Sequence, residues 1–192
     1  FDTMSTAVAG ETLAAYTRCH RALVGARLKD SLIVDVQLRQ LIEQGYLSTS
    51  FRCSREPYGV PIPDAQGGIP SIIIEMLAYS RPGVIEVLPA LPYSLKKGSV
   101  NGMLARTFAR IDKLAWDMEA RTVDLTITSL RKQDITLIAR YGIDEITAPT
   151  GILGAFIKGD ADCELHLPEN EPVEIHLELG QHKSLDWVAR VT

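Results

Sequence analysis

Two periods divide this chain. Through about its first eighty residues apolar positions recur every three or four; after Pro82 they alternate. Residues 10–26 (GETLAAYTRCHRALVGA) set Leu13, Tyr16, Cys19 and Leu23 on one expected buried face of a first helix. Asp30 and Ser31 supply a cap for a second helix, DSLIVDVQLRQLIEQ, with Leu32, Ile33, Val36 and Leu41 inward and Arg39 and Gln40 outward. Gly45 is its expected stop. A third helix is expected to open at Pro70, which suits a first turn, and to run to Ser80, where Arg81-Pro82-Gly83 stops it. Ile72, Ile73, Ile74, Met76 and Leu77 cover most of its circumference, so this helix is expected to be buried nearly all round. A lone set of three helices offers no place for it, and more protein is expected around it.

The alternating part predicts short strands at residues 84–88, 110–116, 122–128, 135–138, 163–167 and 173–179. Met118, Glu119 and Ala120 form the expected turn between the second and third of these. The sequence PENEP at 168–172 reads as the turn of a hairpin between the last two. Pro89-Ala-Leu-Pro92 reads as a rigid connector. The fold class is therefore α+β, with helices over residues 1–83 and an antiparallel β-sandwich over residues 84–192.

Composition narrows the function. The 192 residues are 46% hydrophobic and 23% charged, with a net charge of −4. From Asp160 to Glu178 seven acidic residues stand without a Lys or Arg, the opposite of a nucleic-acid footprint. No apolar run approaches the roughly 20 residues that span a bilayer. Cys19, Cys53 and Cys163 are odd in number and widely spaced, as expected of ordinary thiols rather than a disulfide framework or a C-x-x-C motif. No cofactor or metal site is expected.

One stretch carries chemistry: IPDAQGGIPSIIIEML, residues 62–77, with Asp64 between a proline and a glycine pair, ahead of an apolar run. On a loop stiffened by Pro61 and Pro63, Asp64 either accepts backbone N–H bonds at a helix entrance or presents a carboxylate to a ligand. Gly67 and Gly68 leave room for a ligand to approach backbone. Tyr58 and Arg55, just upstream, supply either ligand contacts or solvated loop positions. Glu75, inside the apolar run, is expected in a helix-to-helix hydrogen bond. His166 and His176 are expected on the outward face of the last hairpin as diagonal neighbours, two ligands short of a convergent metal site. His20 and His182 have no supporting pattern, and Trp116 and Trp187 are expected in the core.

The string of Glu75-Met-Leu77, GVIEVLPALP at 83–92, GSVNGMLAR at 98–106 and the strand from Asp112 to Trp116 resembles the C-terminal end of glycoside hydrolase family 95, the inverting α-L-fucosidase and α-L-galactosidase group. The resemblance is strongest from Pro63 to Ser129. It implies the last helices of an (α/α)6 catalytic barrel followed by a β-sandwich. Asp64 stands eleven residues before Glu75, as the family's catalytic aspartate stands before the glutamate of its E-M-L segment. That implies a role for Asp64 in activating the attacking water, with substrate contacts from Tyr58, Gln66 and Gly67. Gln66 and Gly67 replace the family's asparagine and aromatic, VPIP at 60–63 replaces its N-F-Q-I, and Ala105-Arg-Thr-Phe108 replaces its A-R-G-G-F. The implied partners are an oligosaccharide or glycoconjugate and a missing N-terminal part of the same protein, which would carry the general acid. The chain opens on Phe1 and reads as a fragment, inactive alone. Outside the resemblance, a non-catalytic carbohydrate-binding or structural module, or a relative that has lost turnover, also fits.

Overall fold

The computed structural model describes residues 13–47, 54–55, 57, 59–148, 152–153 and 156–180. The chain divides into two compact units, Phe1–Leu77 with Pro89–Ser94, and Ala78–Leu88 with Leu95–Thr192.

The first unit holds α1 (Ala15–Leu28), α2 (Ser31–Glu43) and α3 (Pro63–Leu77). Oδ1 of Asp30 accepts from the backbone N–H groups of Leu32 and Ile33 at 3.0 Å each, capping α2 as expected. Gly45, at φ +80°, reverses the chain after it. The packed faces differ from those the large apolar residues predict. The buried stripe of α1 is Ala15, Arg18, Cys19, Ala22, Gly25 and Ala26, while Tyr16, Val24 and Leu28 are exposed. In α2 the buried residues are Val34, Gln37 and Leu41, and Leu32 and Val36 are exposed. The reason is close approach. A Cβ on Gly25 would lie 2.7 Å from Cγ2 of Ile33, so the α1–α2 crossing requires glycine there.

These contacts also give directions. Gly25 meets Ile33 and Arg18 meets Gln40, so α1 and α2 are antiparallel. Cys19 meets Ala65 and Gly68, and Arg27 meets Glu75, so α1 and α3 run parallel. Arg18 is buried and donates to the Gln40 side chain while lying over the Tyr46 ring, 5.1 Å from its centroid. The Tyr46 hydroxyl in turn donates to the Leu13 carbonyl at 2.6 Å.

Three expectations for the third helix are corrected. It begins at Pro63 rather than Pro70, which lies inside it, so Asp64 is on a helix and not on a loop. It ends at Leu77, and Ala78–Arg81 is a strand. It is not buried all round, because Ile73 and Ile74 are exposed while Ile72, Met76 and Leu77 are buried.

The second unit contains β1 (Ala78–Arg81), β2 (Val84–Val87), β3 (Lys97–Ala105), β4 (Ala109–Asp117), β5 (Thr122–Ser129), β6 (Gln133–Ala139), β7 (Ile143–Thr147), β8 (Ile152–Leu153), β9 (Asp162–Leu167) and β10 (Pro172–Leu179). They form two five-stranded sheets, in the orders β1-β2-β6-β9-β8 and β3-β4-β5-β10-β7. Alternation works as predicted: Val123, Leu125 and Ile127 of β5 and Val173, Ile175, Leu177 and Leu179 of β10 are buried. A bulge at Asp112, opposite Gly102 at φ +75°, re-phases β4 so that Ile111, Leu114 and Trp116 all turn inward. Trp116 lies on Gly98 across the β3–β4 pair and donates from Nε1 to the Leu95 carbonyl at 2.8 Å, a core role.

The arrangement is not purely antiparallel. β2 pairs with β6 in parallel, which the long connection through β3, β4 and β5 of the other sheet permits. Residues 168–172 are likewise not a hairpin turn. β9 pairs with β6 and β8, and β10 with β5 and β7, so this link crosses between sheets. His166 and His176 therefore lie in different sheets. Each meets an aspartate across its own strand pair, Asp134 at 2.6 Å and Asp124 at 2.7 Å.

Candidate active site

The approach to Asp64 is a closed loop. Ser54 bridges to Pro61, and the Arg55 N–H donates to the Val60 carbonyl at 2.9 Å. Two backbone bonds fasten this loop to the helices, from Ala15 N–H to the Arg55 carbonyl and from Ser54 N–H to the Tyr46 carbonyl. The chain then enters α3 at Pro63, whose fixed φ suits a first helical residue and whose missing N–H costs nothing there.

Asp64 is the acidic residue of the first turn of α3, exposed, and without a hydrogen-bond or ion-pair partner among the described residues. Its carboxylate is thus presented rather than consumed. Gln66 and Gly67 are exposed beside it, and the space where a Gly67 side chain would stand is open to at least 4 Å. Gly68 has another use. A Cβ there would lie 3.0 Å from Cβ of Cys19, so its bareness serves the α1–α3 contact and not a ligand. Ala65, between these positions, is buried, with its carbonyl 3.6 Å from the Cys19 Sγ. Pro70 removes the N–H that would reach the Gln66 carbonyl, and the Ser71 hydroxyl donates to the Gly67 carbonyl at 3.2 Å. The exposed side of this half of α3 is thus irregularly bonded at Gln66 and Gly67. Tyr58 lies outside the described residues.

Glu75 is not exposed with Asp64. Eleven residues, about 16 Å of helix, separate the two at nearly the same angle around the axis. At that end Arg27 of α1 closes on Glu75 at 2.6 Å, the helix-to-helix bond expected of it. Arg27, 48 positions away in sequence, was not legible as the partner. Cys53, His182 and Trp187 lie outside the described residues, and among those described no three His, Cys, Asp or Glu side chains gather to hold a metal.

Residues 79–150 match the C-terminal domain model of glycoside hydrolase family 95. No curated protein matches the sequence significantly. Among solved structures, a family 127 β-arabinofuranosidase is similar at 12% identity and a TM-score of 0.42, covering 85% of this chain and 32% of its own. A family 127 β-L-arabinofuranosidase from Geobacillus stearothermophilus T6 is similar at 14% identity and a TM-score of 0.35, covering 61% of this chain and 18% of its own. The chain thus spans a third or less of either relative's length.

Proposed function

We propose that this chain, whose residues 79–150 match the glycoside hydrolase family 95 C-terminal domain model, is the C-terminal part of an inverting, exo-acting glycoside hydrolase cleaving α-L-fucosyl or α-L-galactosyl linkages. The observation that carries the proposal is Asp64, an exposed carboxylate with no partner among the described residues, held on a helix whose far end is anchored by the Arg27–Glu75 ion pair.

Inverting hydrolysis needs an acid that protonates the leaving oxygen and a second group that steers water, with the two about 6.5–9.5 Å apart. Asp64 takes the water side, accepting the water's proton as the C–O bond breaks. Gln66 donates or accepts at sugar hydroxyls, and the bare Gly67 leaves space for the ring. Tyr58 completes the substrate contacts. The general acid comes from an N-terminal part of the same protein, and the chain alone is inactive. α1 and α3 parallel, with α2 antiparallel and between them in sequence, is the direction pattern of successive hairpins in an (α/α)6 barrel. The exposed Tyr16, Leu28, Leu32, Val36, Ile73 and Ile74 are the surfaces that neighbouring helices of such a barrel would cover. The two sheets of the other unit, each with a buried face, are read as its β-sandwich.

A second reading rests on the same residue. An acid in the first turn of a helix is favourable beside the N-terminal end of the helix dipole, with no catalysis required. A sandwich serving as a carbohydrate-binding module would be expected to show an exposed aromatic strip, and in this unit Phe108 is the one strongly exposed aromatic among the described residues. The test is hydrolysis of aryl α-L-fucoside and α-L-galactoside by the full-length protein and its Asp64→Ala variant. Loss of about 10²–10⁴-fold in kcat with unchanged stability supports the catalytic reading. Equal turnover by the variant, or a full-length protein without turnover, sinks it.

A further inference from the structure

One end of the strand unit is built more elaborately than packing requires. The turn between β3 and β4 holds Phe108 at φ +55°, a conformation in which a bulky side chain is an outlier and glycine is at ease. The ring is not buried in return: Phe108 is 57% exposed. Backbone strain at an exposed aromatic points to use of the ring rather than to stability.

Beneath the ring, polar groups lock several turns together. Thr107 and Ser129 are fully buried, and Ser80 nearly so. The Thr107 hydroxyl accepts from the Gly83 N–H at 2.9 Å and donates to Oε1 of Gln133 at 3.2 Å. Nε2 of Gln133 donates to the Thr107 carbonyl at 2.6 Å and to the Ser129 hydroxyl at 2.7 Å. The Ser129 hydroxyl donates to the Arg131 carbonyl, and the Arg106 N–H donates to the Ser80 hydroxyl. The Leu130 N–H closes onto the Phe108 carbonyl at 2.8 Å. A satisfied buried network of this kind fixes the loops that carry it.

What the network fixes is an exposed ring with a cation on one face. The Arg131 guanidinium stacks 4.4 Å from the Phe108 centroid, Lys132 follows it in the β5–β6 link, and Arg81 ends β1, just before the turn whose Gly83 N–H bonds Thr107. None of Arg81, Arg131 and Lys132 pairs with a carboxylate among the described residues, whereas Arg110 nearby is paired with Asp112. Glu169 and Asn170 approach from the β9–β10 link, where the Asn170 N–H bonds the Ser129 carbonyl, so negative charge is not excluded from the rim. Three unpaired cations at one end of a chain of net charge −4 run against its overall balance.

We infer that this end, with Phe108, Arg131, Arg81 and Lys132, is a binding site for a carboxylated sugar chain of the uronic-acid type. A pyranose ring stacks its C–H face on the free face of Phe108, and its carboxylate pairs with the guanidinium fork of Arg131, with Arg81 and Lys132 meeting the carboxylates of adjoining residues. The sugar in this assignment rests on the glycoside hydrolase reading; the anion does not.

The test is calorimetric binding of tetragalacturonate to the full-length protein, beside a neutral galactotetraose and a tetraglutamate peptide. Tetragalacturonate is expected to bind at least tenfold more tightly than either, and less tightly as salt rises. Phe108→Gly is expected to weaken it tenfold or more while leaving the melting temperature equal or higher, since glycine suits that φ. Arg131→Gln, which touches no backbone conformation, is expected to weaken it similarly. Equal affinity for the neutral sugar, no binding, or binding indifferent to both variants overturns the proposal, and stronger binding of tetraglutamate replaces the sugar with an acidic peptide. Aryl glycoside turnover by the full-length protein is expected to be the same with and without Phe108→Gly, so failure here and failure of Asp64 as a catalytic residue are read separately.

Discussion

Arg27 on α1 reaches Oε1 of Glu75 on α3 at 2.6 Å, and Glu75 is 7% exposed while the arginine side chain is half in water. Removing the arginine takes a cation from a carboxylate in a desolvated seam between parallel helices. Breaking a fully buried pair costs about 3–5 kcal/mol. With one partner half-solvated, Arg27→Ala is expected to destabilise the chain by about 1–3 kcal/mol. Urea unfolding at pH 7 measures this. Glu75→Gln in the same background is expected to recover part of the loss, because it removes the charge that needs a partner. A variant as stable as the parent would show that the pair contributes nothing.

Trp116 fills the place a side chain on Gly98 would occupy: a Cβ there would lie 2.5 Å from Cζ2 of the indole. Gly98→Ala must therefore push the ring outward and stretch its Nε1 bond to the Leu95 carbonyl. The expected cost is about 1–3 kcal/mol, the scale of overpacking. Near-ultraviolet circular dichroism should report the moved ring, with the far-ultraviolet signal kept. An unchanged spectrum and stability would show that the β3–β4 pair tolerates a side chain there.

Burial, with Asp162 adding, pushes the Cys163 thiol up to about 11 from its ordinary 9.0. The folded state thus favours the protonated thiol more than the unfolded chain does. The resulting stability is complete below pH 9 and is lost as pH rises from 9 towards 11. The stability difference between the parent and Cys163→Ala is expected to be constant up to pH 9 and to shrink above it. At pH 8, iodoacetamide is expected to leave Cys163 unmodified until urea unfolds the chain. Rapid alkylation of the native protein would contradict this burial.

The reach of the sequence was uneven for physical reasons. Alternation marked β4, β5, β6, β9 and β10 because each buries one face completely. It could not mark β3, an edge strand in which Met103 is the one buried side chain. Helical periodicity found α1 and α2 and placed Cys19 and Leu41 inward correctly, but set Tyr16, Leu32 and Val36 there too, since close helix contacts at Ala22, Gly25 and Ala26 use the absence of side chains as the contact surface. The first turns of α3 read as a loop because Asp64, Gly67, Gly68 and Pro70 are all poor helix formers, and packing against Cys19 overrides them. Five residues bounded by prolines look alike whether they turn a hairpin or cross between sheets, which is why His166 and His176 were set side by side. Phe108 stood out only as part of the Ala105–Phe108 departure from the family's glycine-bearing segment, as a left-handed backbone angle is written in no pattern a phenylalanine leaves. The family resemblance was legible where its segments at 83–92 and 98–106 lie, inside the matched residues 79–150.

The two glycines after Asp64 separate stability from the proposed chemistry. Gly67 faces open space on a helix, so Gly67→Ala removes backbone freedom from the unfolded chain at no steric cost and is expected to stabilise by about 0.5–1 kcal/mol. Gly68→Ala would set a Cβ 3.0 Å from Cβ of Cys19 and 3.2 Å from its Sγ, and is expected to destabilise by about 1–2 kcal/mol. Cys19→Ala should relieve part of that strain by removing the sulfur. In the full-length protein the order is expected to invert. Gly67→Ala, the more stable variant, should lose turnover by as much as about 10²-fold, because a methyl group there displaces a sugar held against the backbone. Gly68→Ala, once folded, should turn over close to normally. Thermal melts of both variants beside kcat/KM on aryl α-L-fucoside decide this. A Gly67→Ala enzyme that is both more stable and fully active would mean that no sugar approaches this helix, and Asp64 would then be a first-turn acid serving its helix alone.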